Sequence, residues 1–514
     1  MHSNVQRFPS HGVETRDYRS LALNVMAAGI AAFFIAAVGA YLAEASIKVV
    51  AAATGAAIFV VIAYLCGNPR LLSLWGLTFV IPFDLSKRFG TIFMKMGGES
   101  SIRAEVSDVF LIALAGYLAH DIWIGRAKGL RIPKVTYTWV VLMLLGLAWA
   151  TFGTWRLTAA HEVFRMFKVM ILFLVISNEL TRPERIYHCA AGLTLGMLVQ
   201  AIAGLTQYVT RSHFGLEMLG ETGTIAIRML ESSSVQGQSV FRVGAFLSHP
   251  NVFGIFLACL LPFAVAGYLL RVGKISKLFF LGSVALGMAA LIVTLSRSGW
   301  VSFAAAFSLL MLLMILHAGL RRRSMLAAGV AVVAVLVVAV IFIEPIMARI
   351  FSSREAAMLG RAEYLRDARG MIDAKPWFGW GLNSYVFAVP PFTQYGARFA
   401  RVHYQDWIPP VHNIYYLWWA EIGIVGLSLQ LIWMAGVIST GIKNLRVKNE
   451  MLFAINAACL AGMLAFVVDG FFSFSLRFNS ILRVFWVQAG MMMAIRYYHL
   501  KSSAEDRSES IGQE

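Results

Sequence analysis

Apolar runs about twenty residues long recur along this chain, and a helix needs about that length to cross a bilayer. Inside hydrocarbon every backbone N–H and C=O must be satisfied within its own segment, so such runs fold as helices. We read about fourteen of them, near 21–43, 47–66, 70–83, 107–124, 135–153, 161–180, 185–209, 250–270, 276–295, 298–317, 324–344, 412–440, 451–472 and 478–497. The third is short for a full crossing. Charged residues make up 14% of the chain and hydrophobic ones 59%, whereas a soluble protein carries about 25% charged residues. The pattern predicts an all-α polytopic membrane protein with about 12–14 transmembrane helices.

The polar stretches organise these spans. A tail over 1–20 precedes a transmembrane bundle over 21–344 with about eleven spans. A large polar loop over 345–411, C-terminal transmembrane helices over 412–497 and a polar tail over 498–514 follow. The start lacks the short basic region and small-residue cleavage site of a secretory signal, and reads as a cytoplasmic tail before an uncleaved helix. Four short loops are basic: Arg126, Lys128, Arg131 and Lys134; Arg271, Lys274 and Lys277; Arg321, Arg322 and Arg323; Lys443, Arg446 and Lys448. An even span count puts all four on the side of both termini, and the positive-inside rule makes that side cytoplasmic.

The long polar segments near 84–106, 210–249 and 345–411 then face outward. They carry Arg103, Arg211, Arg228, Arg242, Arg349, Arg354, Arg361, Arg366, Arg369, Arg398 and Arg401. Topology gives these arginines no reason to be there, and an anionic partner does; contact with lipid headgroups is the competing reading. Within the large loop, 355–374 reads as an amphipathic helix lying on the membrane, with Met358, Leu365, Ala368 and Ile372 at helical spacing. The polar end of the chain, about 501–514, reads as disordered. Cys66, Cys189, Cys259 and Cys459 fall in or beside apolar runs without metal or disulfide spacing and read as small buried hydrophobes.

Four outward-facing clusters carry chemistry. They are Arg242-Val243-Gly244 through His249-Pro250-Asn251, Ser296-Arg297-Ser298-Gly299, Gly360-Arg361 through Pro376-Trp377-Phe378-Gly379-Trp380-Gly381, and His412-Asn413 through Glu421-Ile422-Gly423. In kind and order they resemble the O-antigen ligase and polymerase family of bacterial envelope glycosyltransferases. Those proteins show an Arg-Gly…His-Pro-Asn segment, a Ser-Arg-Gly-like turn, a Pro-x-x-Gly-x-Gly turn and a His-Asn…Glu-x-Gly helix start. The motifs cover roughly 240–440. One departure is that Ser298 separates Arg297 from Gly299.

The resemblance implies a GT-C-like fold with a large periplasmic loop, in the bacterial inner membrane with the active site periplasmic. It implies a donor glycan on undecaprenyl pyrophosphate and an acceptor hydroxyl on a glycan or on lipid A–core. Inversion at the anomeric carbon, no metal and no cofactor are implied as well. Besides the bilayer, other polysaccharide-assembly proteins are expected partners, and nucleic acid is not.

The residues suit that chemistry. A departing pyrophosphate gains charge, which guanidinium groups meet bidentately while staying protonated. Arg242, Arg297 and Arg361 are the candidates; helix-end anchoring is the other reading of the first two. His412 matches the histidine assigned as base, and an imidazole at a wet-to-dry boundary suits that role. His249 is the rival base, although Pro250 and Asn251 after it read as a helix-entry device. Asn413 and Glu421 read as supporting residues, the carboxylate orienting an arginine or His412, since a carboxylate inside a span is costly unless paired. His161, His213 and His403 have weaker claims. Trp377, Trp380, Trp407, Trp418 and Trp419 read either as sugar-stacking groups or as an interfacial aromatic belt.

The contrasting class is a lipid-linked oligosaccharide flippase or other transporter, which places ionisable residues near the midplane. Here Glu162, Arg165, Lys168, Asp469, Arg477 and Arg483 cluster at outer span ends, which favours an outward-opening reaction site. Between ligase and polymerase, two long outer segments give room for two glycans and favour the polymerase.

Overall fold

A computed structural model describes residues 67–91, 100–221, 234–235, 238–239, 241–270, 272–330, 354–393 and 410–511. The chain divides into two compact units, Met1–Ser73 and Leu74–Glu514. Of the first, residues 67–73 are described, so the account below concerns the second. The expected spans near 21–43 and 47–66, most of that near 324–344, and Arg349, Arg398, Arg401, His403 and Trp407 lie outside the described residues.

Helices follow the apolar runs. They are α1 (Pro69–Val80), α2 (Val106–Trp123), α3 (Val135–Phe152), α4 (Arg156–Glu179), α5 (Pro183–Thr210), α6 (Pro250–Leu269), α7 (Lys274–Val293), α8 (Arg297–Leu316), α9 (Arg354–Ala374), the short α10 (Tyr385–Ala388), α11 (Ile414–Lys443), α12 (Glu450–Asp469) and α13 (Asn479–Ile511). Among the described residues, eight helices are long and apolar enough to cross a membrane: α2, α3, α5, α6, α7, α8, α11 and α12. The expected all-α polytopic class is borne out. A small antiparallel hairpin, β1 (Ser86–Phe89) with β2 (Ile102–Glu105), precedes α2 and pairs Ser86 with Glu105.

Helix α6 is the axis of the bundle. Nearly all its side chains are buried, and α5, α7, α8 and α12 pack around it. It meets α8 at glycines: a Cβ on Gly299 would lie 2.9 Å from the Cα of Gly254. That contact holds the N-terminal mouths of both helices together and explains why a glycine follows Arg297 so closely. Elsewhere the core is aromatic. Trp139, Trp433 and Trp486 interlock with ring centroids 4.2–5.5 Å apart, and Phe173 packs edge-on against Trp433 and Trp486. Such pairs contribute about 0.5–1.5 kcal/mol each beyond the area they bury.

Helix α11 is broken at Gly423, where φ is 66° and ψ −177°. The break frees backbone groups, and the Pro376–Gly381 turn takes them up. Ile424 and Val425 donate to the carbonyls of Pro376 (2.8 Å) and Trp377 (3.2 Å), while Trp380 and Gly381 donate to those of Ala420 (3.1 Å) and Glu421 (2.8 Å). Both partners need glycine, because a Cβ on Gly379 would lie 2.6 Å from the Gly423 nitrogen. Two of the sequence motifs are therefore the two halves of one backbone joint.

Apart from Asp469, the charges at the outer span ends pair with other protein charges. Arg477 pairs with Glu421 and lies 3.6 Å from Glu162, which also holds Arg165. Lys168 reaches Asp108 at 2.7 Å and Glu105 at 3.4 Å, and Arg483 pairs with Glu105. These groups tie α2, α4, α11 and α13 together as a strut between helices. A buried charge is tolerated only when paired and hydrogen-bonded. Glu421 meets that condition fully: beyond Arg477, its carboxylate accepts from the backbone amides of Asn383 (3.3 Å) and Tyr385 (3.1 Å).

Two further expectations change. The amphipathic helix in the large loop is present as α9, but Ala368, Met371 and Ile372 are buried in protein, where α9 packs on α11 and the Pro390–Phe392 turn. Its apolar face is satisfied by the protein and not by lipid. The polar C-terminal stretch continues α13 as helix to Ile511; its Ala, Glu and Arg residues favour helix.

Candidate active site

Three helix entrances and α9 meet in one place. At the mouth of α6, His249 is the N-cap, and its Nδ1 accepts from the Asn251 amide at 3.1 Å. The preceding loop has left-handed backbone at Ala245 (φ 49°) and Ser248 (φ 63°). It is held by two fully buried glutamines of α5. Gln207 accepts from the Ala245 amide and Gln200 from the Phe246 amide, each at 3.0 Å. Backbone strain of this kind persists only where surrounding contacts enforce it, and it concentrates at functional sites.

Arg242 begins that loop. Its guanidinium donates to Asn251 Oδ1 (2.9 Å) and to the carbonyls of Thr294 (3.1 Å) and Leu295 (3.3 Å). Leu295 is itself left-handed (φ 50°) and lies two residues before Arg297. Arg242 thus braces the turn that presents Arg297. The sequence ranked Arg242 with Arg297 as a phosphate ligand; the structure shows much of its bonding capacity committed to protein.

Arg297 opens α8, and Ser296 caps that helix by accepting from the Gly299 amide at 3.2 Å. Arg361 lies on α9. Among the described residues neither guanidinium makes a hydrogen bond or an ion pair, yet the two are close enough to repel. Burial, and after it the Arg297 charge, holds the Arg361 guanidinium below its ordinary range, and Asp469 partly offsets this. Asp469 ends α12 as a buried acid whose Oδ1 has no hydrogen-bond partner among the described residues. An acid closing an apolar span is costly without compensation, and the Arg361 charge that acts on it lies over a hundred residues earlier.

His412 stands beside this group. Tyr364, one turn along α9 from Arg361, stacks on its ring (centroids 5.9 Å, interplanar angle 18°), and Phe474 meets it edge-on (5.3 Å, 76°). Nδ1 is buried with no hydrogen-bond partner among the described residues. The ring is therefore fixed in place while one nitrogen stays unengaged. Burial, together with the Arg361 charge, pushes its pKa down to about 4, so the free protein holds it neutral. His249 lies near enough to His412 for each charge to oppose the other.

Asn413 and Glu421 are architectural. Asn413 caps α11 by accepting from the amides of Tyr415 (3.0 Å) and Tyr416 (3.1 Å), and the Ile414 amide donates to Gly470 at 2.8 Å. Glu421 orients Arg477, not His412. His213 lies 3.4 Å from Glu221 and His161 lines the strut region, so neither joins the site. The remaining tryptophans split. Trp380 donates to the Met371 carbonyl and Trp419 to that of Pro376, whereas Trp377 is largely exposed.

Taken with the fold, this is a polytopic membrane protein whose helix mouths hold a neutral, buried histidine against arginines in excess of acid. Residues 281–431 match the family model described as O-antigen ligase. The family resemblance is borne out by that match, which spans three of the four motifs, and it implies activity of the O-antigen ligase or polymerase type. The matched segment carries Arg297, Arg361, His412, Asn413 and Glu421, while Arg242 and His249 precede it. No curated protein matches the chain to a significant degree.

Proposed function

We propose that this protein is an inverting glycosyltransferase facing the periplasm. It moves a glycan from undecaprenyl pyrophosphate to an acceptor hydroxyl, as an O-antigen or exopolysaccharide polymerase or as an O-antigen ligase. One observation carries the reading. Segments far apart in sequence bring His412 together with Arg297 and Arg361, two guanidinium groups that make no ion pair among the described residues and have the Asp469 carboxylate near them. Two cations held close to one acid suit an anionic ligand.

In the proposed reaction the acceptor oxygen attacks the anomeric carbon, and the bond from that carbon to the phosphate oxygen breaks. The electron pair leaves with the lipid pyrophosphate. Arg297 and Arg361 hold the phosphate oxygens, and His412 takes the hydroxyl proton. The low basicity of His412 in the free protein fits this order. Burial lowers it most and the Arg361 charge lowers it further; a bound pyrophosphate would cancel the second contribution, so the base strengthens in part once the donor is seated.

The test is genetic. The gene is deleted, complemented with His412→Ala, and the surface glycan is run on a gel. Loss of long chains is expected; normal long chains would remove the catalytic role. The residual pattern assigns the subtype. Single repeats still attached point to a polymerase, and long chains left on the lipid carrier point to a ligase.

A further inference from the structure

His249 entered as a rival base, and its hydrogen bonding gives it a different role. The Asn251 amide donates to Nδ1, so that nitrogen presents its lone pair. In a neutral ring the proton then sits on Nε2. Several features keep the ring neutral. It is the N-cap of the twenty-residue helix α6, whose N-terminal end disfavours a cation. Burial is the largest influence, followed by the charges of Arg242 and His412, and together they push the pKa to about 3. No hydrogen bond to Nε2 is found among the described residues.

A neutral imidazole fixed in this way has one free nitrogen, and that nitrogen already carries hydrogen. It cannot accept the acceptor's proton. It can only donate, at a point close to both His412 and Arg242. The two histidines are thereby held differently: His412 has an Nδ1 with no partner among the described residues, and His249 has its Nδ1 engaged and an N–H to spare. Environments that divide neighbouring titratable groups in this manner mark acid and base assignments.

We propose that His249 is a catalytic hydrogen-bond donor, giving its Nε2–H to the oxygen that departs with the lipid pyrophosphate. This rests on the transferase reading above. As the anomeric carbon–oxygen bond breaks, the electron pair stays on the phosphate oxygen and the bond from Nε2–H to it shortens. The His249 proton remains on Nε2 throughout, while the acceptor's proton goes to His412. The arginines supply charge to the non-bridging oxygens, and His249 supplies a directed donor to the bridging one.

The experiment uses the full chain reconstituted in lipid, with a lipid-pyrophosphate-linked glycan as donor and a saturating acceptor. His249→Ser keeps a capping oxygen for α6 and removes the ring donor. Nε2-methylhistidine incorporated at position 249 keeps the Nδ1 cap and blocks only the Nε2–H. Both are expected to slow transfer by about 10²-fold, as loss of one donor to a developing charge does. The donor KM and the acid limb of the pH–rate profile should stay in place. Wild-type rates in either variant would overturn the proposal, as would disappearance of the acid limb, which would make His249 the base. Loss of donor binding would also overturn it, by making the contact a ground-state one. His412→Ala separates this from the underlying reading: transfer surviving that change removes the transferase base whatever His249 does.

Discussion

Two regions of this protein are rich in charge, and they are built on opposite rules. In the strut, Glu105, Asp108, Glu162 and Glu421 each meet Lys168, Arg165, Arg477 or Arg483. At the helix mouths, Arg297 and Arg361 have no such partner among the described residues, and the Asp469 carboxylate lies near them. The strut is closed and holds helices. The mouth is left open, and its unspent charge is what a phosphate can use. A charged residue in a membrane protein therefore says little by its identity alone; whether its charge is already answered decides between scaffold and site.

The largest effects should separate the two regions by kind. Arg477→Ala leaves Glu421 and Glu162 buried with less compensation, which costs about 3–5 kcal/mol. Thermal unfolding in detergent should show a large drop in Tm together with loss of activity. Arg297→Ala and Arg361→Ala break no described pair. Each should leave the Tm close to wild type while lowering transfer by about 10²-fold, and lysine should restore it only in part because it lacks the bidentate fork. A large Tm loss in these two would move them into the strut.

A pH measurement sharpens the contrast. His412 has its folded pKa held near 4, below the ordinary 6.5. The folded state therefore binds its proton less readily than the unfolded chain does. The resulting stability is fully present above about pH 6.5 and is lost as the pH falls towards 4. For activity, kcat/KM follows the free protein, so its acid limb should fall well below pH 6.5. The limb in kcat, which follows the donor-bound state, should lie higher. Coincident limbs would show that donor binding leaves the basicity of His412 unchanged. The smallest effect is expected from Asn413→Ala, which removes one helix cap for about 1 kcal/mol. It should lower the Tm slightly and reduce transfer only as far as α11 shifts His412.

The sequence made the class legible because spans are long, local and apolar, and it made the motifs legible because each is short and contiguous. It could not show what the motifs do to one another. Pro376–Gly381 and Gly423 read as a turn and a helix glycine, yet they are one joint made by backbone groups about forty residues apart. Arg242 read as a ligand because a guanidinium looks free until its carbonyl partners are located. The spacing in α9 disclosed an apolar face but not what covers it, since membrane and protein select the same pattern. Asp469 was visible as an acid at a span end, and only the fold set it beside Arg361.

The most direct test pairs binding with turnover in one preparation. Wild-type and His412→Ala protein, each reconstituted in lipid, would be assayed for binding of the lipid-pyrophosphate-linked glycan and for its transfer to acceptor. The account predicts that the variant binds donor as wild type does, since Arg297 and Arg361 are intact, and transfers about 10²–10⁴-fold more slowly. Transfer near the wild-type rate with donor binding intact would contradict it.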